Sequence, residues 1–357
     1  PAMTEQLDPS GRLRHLLTLE GLPRDVLVRL LDRAQQLHEH AHGGSALRST
    51  LAGKAVCNLF FEPSTRTRSS FQLAAMRLGA DTLNFDASSS STKKGETAID
   101  TLKNLEAMGV HGFVVRHPGD GAVDALASAA DAGTALINAG DGRRAHPTQG
   151  LLDMLTLRQA KGDDFSKLTV LIVGDVRHSR VARSDLHALR TLGAREIRVC
   201  GPQSLLPDDA TLDGCTVTQD LDAALEGVDA VMMLRLQRER MEQGLVSSLE
   251  DYRRDYGLGE PRLRRAASDA VVLHPGPMNR GVEIDDAVAD GPRSLILQQV
   301  GNGVADDKLH VIYNGVDLSR VKPDTGAGAA FRKRFSQARG TGVSGRRQRL
   351  LRTVGAR

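Results

Sequence analysis

Ser64, Thr65, Arg66, Thr67 and Arg68 place three hydroxyls and two guanidiniums between an apolar run at 54–61 and a helix-spaced segment at 69–78. A strand that gives way to a helix at small hydroxyl residues leaves backbone N–H groups without intrahelical partners. The helix dipole adds positive character at the same point, so the junction suits an anion. The planar fork of Arg66 matches phosphate oxygens. A Ser-Thr pair is ordinarily an N-cap beside a solvated arginine. The preceding strand and a second arginine two positions on turn the reading toward a phosphate site.

Further motifs follow in order: Lys93-Lys94-Gly95-Glu96-Thr97, Val115-Arg116-His117-Pro118, Asn138-Ala139-Gly140-Asp141-Gly142, and His146-Pro147-Thr148-Gln149. Together with Ser64 to Arg68 they resemble the aspartate and ornithine carbamoyltransferases over about residues 13–304. Leu234-Arg235-Leu236-Gln237-Arg238-Glu239-Arg240 and His274-Pro275-Gly276-Pro277-Met278-Asn279-Arg280-Gly281 resemble the aspartate-binding segments of that family. The Ser-Met-Gly and Cys-Leu-Pro motifs expected of an ornithine enzyme do not occur in the sequence. Charge agrees, since a dicarboxylic substrate calls for Arg and Gln donors, whereas the distal amine of ornithine would call for a carboxylate.

The resemblance implies transfer of a carbamoyl group from carbamoyl phosphate to the α-amine of L-aspartate, an early step of pyrimidine biosynthesis. Ser64, Thr65, Arg66 and Thr67 would hold the phosphate. Thr67, Arg116 and His146 would donate to the carbamoyl oxygen, and Gln149 would meet the carbamoyl nitrogen. Arg180 would pair with one aspartate carboxylate and Arg235 with Gln237 would hold the other, beside the loop carrying Gly276 and Pro277. Glu62 would orient Arg116 or a neighbouring arginine. Arg66, Thr67, Arg116 and His146 are the candidate catalytic residues, and neither metal nor cofactor is implied.

The resemblance further implies that the loop carrying Ser90 and Lys94 reaches into a neighbouring subunit's site, which makes a homotrimer the minimal active unit. A dihydroorotase or dihydroorotase-like partner chain is implied as well. Carbamoyl transfer to another amino acid and a non-catalytic assembly subunit remain as alternatives.

The elements that must position these groups follow from hydrophobic periodicity. Strands are expected at 54–61, 82–85, 112–116, 135–139, 168–174, 197–201, 230–234 and 270–274, with helices at 22–38, 69–78, 98–108, 122–132, 148–161, 181–192 and 221–225. Strands alternating with helices predict an α/β fold of two doubly wound parallel sheets, and ligands collect at the carboxyl ends of such strands. The helix at 148–161, expected to be apolar on one face, would join a carbamoyl-phosphate domain (1–147) to an aspartate domain (148–304). Gly174 lacks the Gly-x-Gly-x-x-Gly spacing of a dinucleotide site. Residues 305–357 depart from the family. A return helix is expected there, but the segment is basic, broken by glycines and predicted to be poorly ordered.

Composition is compatible with this reading. The 357 residues suit two domains, and the absence of Trp leaves a core of Leu, Val, Ala and Ile. The formal net charge of +3 averages two unlike parts. Residues 305–357 hold 12 of the 47 basic and 4 of the 44 acidic groups, so the remaining body is −5 and makes no case for nucleic-acid binding. Three scattered cysteines, Cys57, Cys200 and Cys215, argue against disulfides and zinc. With a polar start and no apolar run of membrane-spanning length, the expectation is a cytoplasmic protein with no membrane contact.

Overall fold

Short apolar runs alternating with helices produce two parallel sheets. A computed structural model describes residues 6–40, 50–86, 96–237 and 244–303. The chain divides into units Pro1–Val316 and Asp317–Arg357, and every described residue lies in the first.

The first sheet contains β1 (Ala55–Phe60), β2 (Asp81–Asp86), β3 (Gly112–His117) and β4 (Ala135–Asp141) in the order β2-β1-β3-β4. The second contains β5 (Thr169–Val173), β6 (Glu196–Cys200), β7 (Thr216–Thr218), β8 (Ala230–Met233) and β9 (Val271–Leu273) in the order β7-β6-β5-β8-β9. All named pairings are parallel. Strand order reverses at β1/β3 and again at β5/β8, and a parallel sheet opens a ligand crevice at such a point, outside the carboxyl ends of its strands. Residues 62–67, 116, 174–180, 234–237 and 274–277 all lie at or just beyond those ends.

The cores are aliphatic, as composition requires. Leu59, Phe113, Val115 and Leu136 are buried in the first, and Leu171, Val173, Val231 and Val272 in the second. Cys57 and Cys200 are buried free thiols pushed up to about 12 by burial, and Cys215 is free and half-buried. Among the described residues no helix is long and apolar enough to cross a membrane.

Three helices differ from expectation. The helix expected at 69–78 spans Thr65–Arg77, with Ser64 as an extended N-cap (φ −158°, ψ 93°). Its polar first turn hid the start, because residues there need no apolar face. The helix expected to 132 ends at Ala129, since Ala130 turns to ψ 148° before Asp131 and Gly133.

The helix Pro147–Lys161 is not apolar on one face. Nearly all of residues 147–157 are buried, because helices Arg24–His40 and Arg180–Leu192 pack on it. Its inward Thr156 hydroxyl is satisfied within the protein. Thr156 Oγ1 donates to Leu152 O at 2.7 Å and accepts from Asn302 Nδ2 at 2.9 Å.

Helices Leu249–Tyr256, Glu260–Leu263 and Asp286–Ala289 were not expected. They are short or charge-rich, which gives little periodic signal. The expected properties of 305–357 concern residues outside those described.

Candidate active site

Helix starts and strand ends from both sheets converge on one cleft of about 1300 Å³. Ser64, Thr65, Arg66, Thr67, Arg116, His146, Gln149, Arg180, Arg235, Gln237, Gly276 and Pro277 all line it. Ser90 and Lys94 lie outside the described residues.

At the first sheet, Ser64 makes no side-chain cap, so the opening turn of Thr65–Arg77 keeps backbone donors for a ligand. Arg66 is exposed and reaches across to the second sheet, where its Nη2 donates to Pro275 O at 3.2 Å. Gly276 permits this approach, since a Cβ there would lie 2.5 Å from Arg66 Nη1.

Arg116 closes β3, where the register with β4 shifts between Val115 and His117. Such an irregularity re-aims a side chain. Its Nη1 donates to Ala139 O at 3.2 Å, and its Nε is 2.7 Å from Glu62 Oε1, an ion pair without hydrogen-bond alignment. Burial, then the Arg180 charge, bring its guanidinium down to about 10, with Glu62 opposing. It therefore stays cationic at neutral pH.

The Asn138-to-Gly142 motif is scaffolding for His146. Asp141 is fully buried; its Oδ1 accepts from Asn138 Nδ2 at 2.9 Å and Ala145 N–H at 3.2 Å, and its Oδ2 from Gly121 N–H at 2.9 Å. This pins the loop that delivers His146 to the N-cap of Pro147–Lys161. His146 N–H donates to Ser184 Oγ at 2.9 Å, and its Nδ1 lies 3.2 Å from Thr148 Oγ1. Burial, then the charges of Arg116 and Arg180, hold this imidazole well below its ordinary range, so it is neutral at pH 7. One helical turn on, Gln149 donates through Nε2 to Asp153 Oδ1 at 3.0 Å, which leaves its carbonyl oxygen for the cleft.

From the second sheet, Arg180 opens the helix Arg180–Leu192 and donates to Glu62 Oε1 at 2.6 Å. Glu62 thus lies between Arg116 and Arg180, the orienting role expected of it from sequence. Gly140 (φ +120°) gives Arg180 room, since a Cβ there would fall 2.8 Å from its Cζ.

Arg235 and Gln237 follow β8 and are exposed. The loop of Gly276 and Pro277 is held by His274, whose Nδ1 accepts from Gly276 N–H at 2.7 Å while its Nε2 lies 3.3 Å from buried Glu283. Because Nδ1 is an acceptor, Nε2 carries the proton.

Sequence reasoning missed Arg143, Asp120 and the supports Asp153 and Gln299. Asp153 was within reach, being four residues from Gln149 on one helix. Arg143 gave no signal, because its place depends on Asp120 accepting from its N–H at 2.6 Å.

Five guanidiniums and a neutral imidazole around one open volume suit two anionic reactants held side by side. Among the described residues no three His, Cys, Asp or Glu side chains are grouped to hold a metal ion.

Comparison with known proteins matches residues 14–159 to the carbamoyl-P binding domain of the aspartate/ornithine carbamoyltransferases, and residues 166–308 to their Asp/Orn binding domain. The aspartate carbamoyltransferase catalytic subunit of Xanthomonas euvesicatoria pv. vesicatoria is 77% identical over 302 residues, covering 85% of this chain and 96% of that one. Aspartate transcarbamoylase from Trypanosoma cruzi, solved with carbamoyl aspartate and phosphate, superposes with a TM-score of 0.77 at 29% identity, covering 86% and 98% of the two chains. Ornithine carbamoyltransferase from Thermus thermophilus gives 0.75 at 28% identity, covering 85% and 99%. Backbone likeness alone therefore does not separate the two substrates, whereas the 77% identity favours aspartate.

Proposed function

The chain belongs to the aspartate/ornithine carbamoyltransferase family, and from that we infer that it transfers the carbamoyl group of carbamoyl phosphate to the α-amine of L-aspartate. The products are N-carbamoyl-L-aspartate and phosphate. The observation that carries the inference is the meeting of Arg66 and Arg116 from one sheet with Arg180 and Arg235 from the other around one cleft.

The first half, assigned as 1–147, binds carbamoyl phosphate; the second, 148–304, binds aspartate. Phosphate oxygens take the free N–H groups of the Ser64–Thr67 turn and the Arg66 fork. The carbamoyl oxygen faces Thr67, Arg116 and neutral His146, and the carbamoyl N–H2 donates to the Gln149 carbonyl. Arg180 takes one aspartate carboxylate, while Arg235 and Gln237 take the other beside Gly276 and Pro277. A cationic cleft disfavours the ammonium form of the incoming amine and so readies its lone pair.

The C–N bond forms as negative charge grows on the carbamoyl oxygen, where the fixed donors stabilise it. The bond from carbon to phosphate oxygen then breaks, and the departing phosphate accepts the amine proton. No protein nucleophile is needed, and alignment of two bound reactants supplies much of the remaining acceleration.

Ser90 and Lys94 are assigned to a neighbouring subunit's site, with a homotrimer as the active unit and a dihydroorotase-like chain as its larger-scale partner. The test of the reaction is a product assay with carbamoyl phosphate and either aspartate or ornithine. The expected result is carbamoylaspartate formation with no comparable turnover of ornithine; the reverse preference overturns the reading.

A further inference from the structure

Behind the cleft, two aspartates occupy a place that the reaction above does not use. Asp153 lies on Pro147–Lys161 and Asp185 on the adjacent Arg180–Leu192, and neither is exposed to solvent. Their helices pack directly against each other. Neither oxygen of Asp185 meets a donor among the described residues. The helices leave little slack here, since a Cβ on Gly150 would lie 3.4 Å from Asp185 Oδ1 and 2.8 Å from Leu19 Cδ1.

Two buried carboxylates on packed helices repel unless one of them holds a proton. Asp153 Oδ1 accepts from Gln149 Nε2 at 3.0 Å and Gln299 Nε2 at 2.6 Å, the surroundings of a carboxylate. Asp185 has no such donors, so the proton belongs on Asp185. Burial, then the Asp153 charge, hold the Asp185 carboxyl well above the usual carboxylate range, in the same sense.

We propose that Asp185 is a neutral hydrogen-bond donor to Asp153, and that the pair is a positioning element tying Gln149 to the 275–277 loop. The connection is continuous. Gln299 donates to Asp153 and accepts from His274 N–H at 2.9 Å, and His274 in turn accepts from Gly276 N–H at 2.7 Å. One carboxylate therefore sets the amide of Gln149, carbonyl toward the cleft, and anchors the loop from the second sheet. The role of Gln149 rests on the function proposed above; the protonation of Asp185 does not.

Infrared spectroscopy of the full chain, with carboxyl-labelled aspartate, tests the proton directly. A protonated carboxylic acid band is expected at neutral pH, and it disappears in Asp185→Asn. Kinetics test the positioning. Asp185→Asn places an N–H donor in the same space and keeps kcat and KM within about twofold, whereas Asp185→Leu lacks a donor and loses about tenfold in kcat. An active wild type without the band, or an Asp185→Asn variant as impaired as Asp185→Leu, overturns the proposal. A wild type that shows the band but transfers no carbamoyl group overturns the role given to Gln149 and leaves the shared proton standing.

Discussion

Arg66 is restrained by Pro275, and Arg116 and Arg180 by one shared Glu62, and that restraint decides what a substitution does. Arg180 uses its fork on Glu62 and on Gly142 O, so Arg180→Lys, with a single compact charge, is not conservative. It is expected to raise the KM for aspartate about tenfold with a smaller change in kcat, read from initial rates at varied aspartate. His146→Ala removes the donor proposed for the developing oxyanion and is expected to cost about 100-fold in kcat. Equilibrium binding of carbamoyl phosphate should move far less, and an equal loss in both would place His146 in ground-state binding. Acid titration follows from burial. His15 is pushed down to about 4, first by burial and then by Arg14. A depressed imidazole binds its proton in the unfolded chain before the folded one. Its contribution is therefore present above about 6.5 and is lost toward about 4, at up to about 1.4 kcal/mol per pH unit. His15→Asn retains an acceptor for Leu136 N–H, so denaturant titrations across that window should show a shallower acid loss.

Elements meet where glycine permits it, and propensity alone misjudges those places. Gly150 lies inside the helix Pro147–Lys161, where alanine would ordinarily raise helix stability by about 1 kcal/mol. Here its methyl would press on Leu19 and Ser184, so Gly150→Ala is expected to lower stability by about 1–3 kcal/mol, with a fall in Tm by calorimetry. The same helix pair carries the shared proton. A raised carboxyl is protonated in the folded chain and ionised in the unfolded one, so its contribution declines as pH rises above the unfolded value. Asp185→Asn should therefore gain on wild type with increasing pH, by up to about 1.4 kcal/mol per unit, in paired urea titrations. A difference that does not vary with pH would mean that Asp185 is ionised when folded.

At the scale of the molecule, the cleft takes one wall from each sheet, with Arg66 reaching Pro275 and Glu62 reaching Arg180 across it. Those links join the two lobes across the cleft, and the aspartate carboxylate proposed for Arg180 would share that guanidinium with Glu62. The proposed trimer makes a separate claim about Lys94. Mixed Lys94→Ala and His146→Ala chains, exchanged and reassembled, should show activity that neither has alone. Failure of the mixture, with both variants folded and of trimeric mass, would place Lys94 in its own subunit's site.

The alternation of strands and helices and the phosphate-suited run Ser64 to Arg68 were legible in the residues, because local periodicity and a charged motif survive without coordinates, whereas Arg116, His146, Arg180 and Arg235 were singled out only through the resemblance to a known family. Where the helix beginning at Thr65 starts was not, since a first turn needs no apolar face. Nor was the burial of Pro147–Lys161 on all sides, which depends on what packs against it. The convergence of both sheets on one volume, the division of Glu62 between two arginines and the meeting of Asp153 with Asp185 were decided only by tertiary structure. Residues 32 positions apart become neighbours through the packing of two helices, and sequence spacing alone does not specify that distance.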